Sequence, residues 1–139
     1  MRIRLARAEE RQALEDLQRR ASLANDTDRE ALLAHPDAIE LPAEQIAREQ
    51  VFVAEADGDV FGFVALVDGD LDGLFVEPQL WGRGIGKALV ETAVHEARRK
   101  GLSVTVIANP AALGFYQKCG FAVEGEAQTR FGPAIRMSR

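Results

Sequence analysis

The sequence predicts one α+β domain built on a mixed sheet, and three observations predict it. Two Asp-Gly turns, Asp57-Gly58 and Asp68-Gly69, separate three apolar, β-branched runs, the pattern of an antiparallel meander. The stretch from Gly84 to Lys100 carries a single apolar stripe at helical spacing. After it, strand and helix signals alternate and end in two strands, an order that reads as α+β or a mixed sheet. A chain of 139 residues holds one domain, residues 1–139, and no second.

The elements follow in order. Arg2-Ile3-Arg4-Leu5 alternates polar and apolar, a short strand. Leu14, Leu17 and Ala21 place a helix over 8–22. Asp28 is read as the cap of a short helix reaching Leu33, which His35-Pro36 ends. Pro42 opens another helix reaching about Arg48. The meander strands are Val51–Ala56, Val60–Val67 and Leu71–Val76, and Pro78 stops the last. The long helix carries Ile85, Ala88, Leu89, Ala93 and Ala97 on one face. Arg98-Arg99-Lys100 stands at the negative end of its dipole, and Gly101 supplies a left-handed stop. Leu102–Ile107 is a continuous β-branched run, a buried strand. A short helix over Pro110–Lys118 and two strands, Phe121–Glu126 and Pro133–Ser138, complete the chain.

Composition excludes several classes. The chain is 47% hydrophobic and 28% charged, ordinary for a globular protein. One cysteine, Cys119, and two histidines, His35 and His95, argue against a disulfide framework and against a metal site. The longest apolar run, Phe61–Val67, falls far short of the ~18 residues of a membrane span. The N-terminus has no signal-peptide core, so the expected compartment is the cytoplasm, with no membrane partner. The net charge of −5 argues against a nucleic-acid partner. It is uneven: residues 1–50 carry 8 basic and 11 acidic groups, residues 51–80 none and 7, residues 81–139 nine and 4.

The basic part begins with Trp81-Gly82-Arg83-Gly84-Ile85-Gly86-Lys87, between a strand and a helix. Alternating glycines let a ligand approach the backbone, and helix N-terminal N–H groups bind anions. Arg83 and Lys87 add positive charge, so the turn reads as a pyrophosphate cradle. The same turn without a ligand is the competing reading. Neither common nucleotide loop fits: the dinucleotide pattern fails at Lys87 or Leu89, and the P-loop fails at Trp81 and Ala88. A mononucleotide binder is disfavoured accordingly.

A second motif follows at Asn109-Pro110-Ala111-Ala112-Leu113-Gly114-Phe115-Tyr116-Gln117-Lys118-Cys119-Gly120-Phe121. With the glycine turn, it makes the chain resemble the GCN5-related N-acetyltransferase (GNAT) superfamily over nearly its whole length. The resemblance implies a mostly antiparallel sheet of some six or seven strands flanked by about four helices. It also implies a V-shaped splay between the fourth and fifth strands. One position departs: Trp81 stands where the family usually has Gln or Arg.

The resemblance further implies an acyl-CoA-dependent N-acyltransferase, with acetyl-CoA as co-substrate and no metal. The acetyl group would pass directly to a primary amine, on a small molecule or on a protein or peptide. The backbone of Leu74, Phe75 and Val76 would bind the pantetheine arm, and Asn109 would add a bond to it. Gly82, Arg83, Gly84, Ile85, Gly86 and Lys87 would hold the pyrophosphate. Tyr116 would protonate the departing thiolate. The glutamate that some relatives carry five residues before the motif asparagine is absent, Val104 taking its place. Asp72 is the tentative base, with Glu55 and Asp70 behind it. Segment 23–50, with Asn25, Asp26, Asp28, His35 and Glu40, is expected to line the acceptor side. A homodimer is a further expectation. The alternative is a non-catalytic acyl-CoA-binding sensor or regulatory module.

Overall fold

Seven strands form one sheet in the computed structural model, in the order β1-β2-β3-β4-β5-β7-β6. They are β1 Arg2–Leu5, β2 Val51–Ala56, β3 Asp59–Val67, β4 Asp70–Val76, β5 Thr105–Ala108, β6 Ala122–Thr129 and β7 Gly132–Ser138. Every residue is described except the side chains of Asp26 and Thr27, so the Asp26 expectation lies outside the described residues. The described helices are α1 Arg11–Ala24, α2 Asp26–Ala34, α3 Ala43–Ala47, α4 Ile85–Arg99 and α5 Leu113–Lys118, one more than the resemblance implied. None is long and apolar enough to cross a membrane.

The meander forms as its turns dictate. Asp57 and Gly58 have φ of 54° and 82°, Asp68 and Gly69 of 51° and 88°. Two successive residues at positive φ match the right-handed twist of the flanking strands. Side chains then alternate between two cores. Val64 and Leu66 of β3 pack under Leu89, Val90 and Ala93 of α4. Phe63 and Ala65 face Leu14 and Leu17 of α1 and Ile46 of α3.

The gap that positions the site has a local cause. β4 and β5 run parallel and pair at Asp70↔Thr105 alone. Next to this pair, Ala65 of β3 is opposite Gly73 and Leu66 is opposite Leu71, so Asp72 is an extra residue on β4. Such a bulge bends the strand and sharpens its twist. Beyond it, β4 stays with β3 while β5 turns to β7, and the two strands part.

Several boundaries differ from expectation, three of them for reasons visible in the hydrogen bonds and helix ends. Asp28 is not a cap: the Asn25 side chain accepts from the Asp28 N–H at 3.3 Å, and α2 begins earlier. Pro42 stands just before α3, which ends at Ala47. β5 begins at Thr105 and not Leu102, because Leu102 is consumed in ending α4. The Leu102 N–H reaches the Ala97 carbonyl at 2.8 Å and the Gly101 N–H reaches Arg98 at 3.0 Å, around Gly101 at φ 74°.

Candidate active site

A cavity of about 480 Å³ opens where β4 and β5 part, between the start of α4 and α5. Of the residues expected to bind the co-substrate or do the chemistry, Leu74, Phe75, Val76, Gly82, Gly84, Ile85, Gly86, Lys87, Asn109 and Tyr116 line it, and Asn25 and Asp28 of the expected acceptor segment line it too. Arg83 is exposed and does not line it, and neither does Asp72.

The register decides which backbone groups face this cavity. The Glu77 N–H donates to the Phe61 carbonyl at 2.9 Å, which makes Phe61–Glu77 a hydrogen-bonded pair. Such pairs alternate along an antiparallel ladder, so Phe63–Phe75 is the next. Phe75 therefore turns its N–H and C=O to β3, contrary to the expectation that its backbone serves a ligand. Leu74 and Val76 turn theirs to the gap. The Val76 carbonyl is already bound there, accepting from the Trp81 indole N–H at 2.8 Å. Trp81, the departing residue, thus ties the glycine turn to the end of β4. Phe75 contributes its ring, which packs on Phe63 with centroids 5.4 Å apart.

The glycines of the turn serve two needs. Gly84 sits just before α4 at φ 83°, a conformation that a side chain disfavours. Gly86 is helical, but a Cβ there would lie 3.3 Å from the Phe115 ring. No side chain caps α4, and no acid stands in its first turn. Lys87 stands there instead, against what the dipole alone favours. Open N–H groups and a cation together suit an anion.

Tyr116 is buried, its ring edge-on to Phe115 and Phe121 at 5.1 and 5.5 Å between centroids. Burial pushes its phenol pKa well up, so it holds its proton at neutral pH. Burial likewise raises the Cys119 thiol, which disfavours the thiolate a nucleophile needs.

Asp72 does not join this group. It is exposed, accepts from the Gln45 side-chain amide at 3.1 Å, and lines a second cavity of about 820 Å³. The bulge aims it there. The acids behind it are held elsewhere. Arg4 donates to Glu55 at 3.1 Å and holds that carboxylate below its usual range. Asp70 accepts from the Thr105 hydroxyl at the β4–β5 junction.

Two further carboxylates stand near the cavities: Asp28, expected from the sequence as a helix cap and on the acceptor side, and Glu77, which the sequence did not single out. Asp28, half-buried, lines both cavities and accepts from the Asn109 Nδ2 at 3.0 Å. Burial raises its pKa, and the Asn109 N–H partly offsets the rise. No local signal shows the pairing with Asn109, because the partners lie 81 residues apart. Glu77 is buried and accepts from the Arg20 Nε–H at 3.1 and 3.2 Å, fastening α1 to the end of β4. Of the histidines, His35 packs on Phe131 at 5.6 Å and His95 is exposed, and neither lines either of these two cavities. Among the described residues no group of His, Cys, Asp and Glu is placed to hold a metal ion.

Comparison with known proteins places this geometry in context. The model of the acetyltransferase (GNAT) family matches residues 11–121. The peptidyl-lysine N-acetyltransferase YjaB of Salmonella typhimurium is 40% identical over 91 residues, covering 64% of this chain and 61% of that protein. The peptidyl-lysine N-acetyltransferase YiaC of Escherichia coli is 39% identical over 80 residues, covering 56% and 53%. The matches thus span between about half and three-fifths of these relatives' lengths. The solution structure of YjaB from Escherichia coli superimposes with a TM-score of 0.77 at 26% identity, covering 99% of this chain and 95% of that one. The structure of yncA from Salmonella typhimurium with its cofactor acetyl-CoA gives 0.74 at 21% identity, over 100% and 92%, a likeness of fold.

Proposed function

The chain belongs to the GNAT acetyltransferase family, and on that premise we propose that it moves an acetyl group from acetyl-CoA to a primary amine by direct transfer. The observation that carries the reading is a single cavity shared by the open edge of β4, the glycine turn and Tyr116.

The residues fit the co-substrate. Leu74 offers N–H and C=O to the amides of the pantetheine arm, as a neighbouring strand would. Val76 offers its N–H. The first-turn N–H groups of α4 and the Lys87 ammonium take the pyrophosphate. Arg83, outside the cavity, adds to the positive field at its mouth. Asn109 has a second Nδ2–H beyond the one given to Asp28. Tyr116 donates as the C–S bond breaks. A phenol is a weaker acid than a thiol, so its proton moves only as charge builds on sulfur. The second cavity is the acceptor side. A lysine side chain on a peptide is the first class to try, in keeping with the names of the relatives. The unpaired thiol of Cys119 fits a cytoplasmic compartment.

Release of free thiol from acetyl-CoA, measured across lysine peptides and small amines, tests the reading. Turnover with at least one primary amine is expected. Binding of CoA without turnover on any of them overturns it in favour of a non-catalytic acyl-CoA-binding module.

A further inference from the structure

We propose that the Asp28 carboxylate receives the acceptor: it binds the alkylammonium group and takes its first proton before attack. This rests on the acetyltransferase reading above.

The two cavities meet at Ser22, Asp28, Phe75, Asn109 and Ala111. An amine entering through the second cavity reaches the thioester side only past this junction. Among the described residues Asp28 is the one carboxylate lining both cavities. Glu77 meets Arg20, Glu10 and Glu55 meet Arg4, and Glu91 meets Arg139, while Asp70 meets the Thr105 hydroxyl and the exposed Asp72, off the first cavity, meets the Gln45 amide. Asp28 also meets an amide, through Oδ1. A half-buried carboxylate with a neutral partner keeps its attraction for a cation. Its proton affinity is raised by burial, which also makes it a better proton acceptor than an exposed aspartate.

Beyond Asp28 the second cavity carries Gln18, Asp72, Thr129 and Arg130, and also the apolar side chains of Leu32, Ile39, Phe75, Ile107 and Phe131. The apolar side chains suit a methylene stem behind the ammonium. The acceptor class is therefore a primary alkylamine on an apolar chain.

The protons balance. The ammonium gives one proton to Asp28, and the nitrogen lone pair forms the bond to the thioester carbon. The C–S bond breaks as the nitrogen loses its second proton. The sulfur takes one proton from Tyr116, and the phenolate left behind is refilled by one of the two released. The other leaves to water, so one proton is released per amide formed.

Asp28→Asn tests this, because its side-chain oxygen still accepts from Asn109 and keeps α2 docked. Two acceptors are compared: a lysine peptide, protonated at neutral pH, and an aromatic amine, already neutral. With the peptide, kcat/KM is expected to fall ~10²-fold or more. With the aromatic amine the fall stays under about tenfold, and CoA affinity, read by titration calorimetry, is unchanged. Asp28→Glu retains the charge one methylene away and is expected to fall between wild type and Asp28→Asn with the peptide. Equal losses on both amines, no loss on the peptide, or the reverse order of the two variants overturns the assignment. If the wild type binds CoA but acetylates no amine, the acetyltransferase reading fails and takes this role with it. An active wild type with an unchanged Asp28→Asn overturns the role alone.

Discussion

The Asn109 side chain joins two elements by its two ends. Its Nδ2 donates to Asp28 Oδ1 at 3.0 Å, and its Oδ1 accepts from the Ala111 N–H at 2.9 Å. The first bond holds α2 against the end of β5. The second caps the turn that leads into α5 and so sets where Tyr116 stands.

Asn109→Ala removes both bonds. Loss of a cap and of a half-buried hydrogen bond is expected to cost about 1–2 kcal/mol, read by urea denaturation. The Asp28 carboxylate then loses the donor that offsets burial, so its pKa rises further. A variant as stable as wild type would show that neither bond holds the site together.

Tyr116→Phe keeps the ring edge-on to Phe115 and Phe121 and removes only the hydroxyl. Thiol release is expected to fall by roughly 10²–10⁴, the usual span for a positioned acid, while CoA affinity stays put. Unchanged turnover would remove Tyr116 from the chemistry.

Acid sensitivity follows from the ion cluster beside β1. Arg4 donates to Glu10 at 2.8 and 2.9 Å and to Glu55 at 3.1 Å. These hydrogen bonds hold both carboxylates below the ordinary value of 4.5. A carboxylate with a depressed folded pKa binds fewer protons folded than unfolded. Its contribution is therefore full above about pH 4.5 and is lost as pH falls through the folded value. Arg4→Met is expected to be less stable than wild type at neutral pH, and the difference should shrink steadily from pH 5 to pH 3. Denaturant melts across that range read it. A constant difference would show that Arg4 acts through packing alone.

The chemistry-bearing motifs were legible because they are local. The glycine turn and the Asn109–Phe121 segment each lie within one stretch of chain, and of the twelve residues assigned to co-substrate binding, to Tyr116 as acid and to Asp72 as base, ten line one cavity. Asp72 stands on the second cavity and not the first, and nothing in Asp70-Leu71-Asp72-Gly73 announces the bulge that puts it there. The extra residue is defined only against its partner strand, where Leu66 and Ala65 skip over it. Phe75 misled for a related reason: which backbone groups face the gap depends on the phase of the β3–β4 ladder, anchored at Phe61–Glu77.

By itself the sequence determined the elements and their order. Asp-Gly pairs force tight turns, apolar residues recurring at helical spacing make one face of a helix, and Gly101 stops α4, all through interactions a few residues long. Only the tertiary structure decided which carboxylates matter. Asp28 meets Asn109, Glu77 meets Arg20 and Glu55 meets Arg4 across 81, 57 and 51 residues respectively. A side chain's charge is written in the sequence, but its burial and its partner are set by packing, and these determine whether it is neutralised, solvated or left to take a substrate's proton.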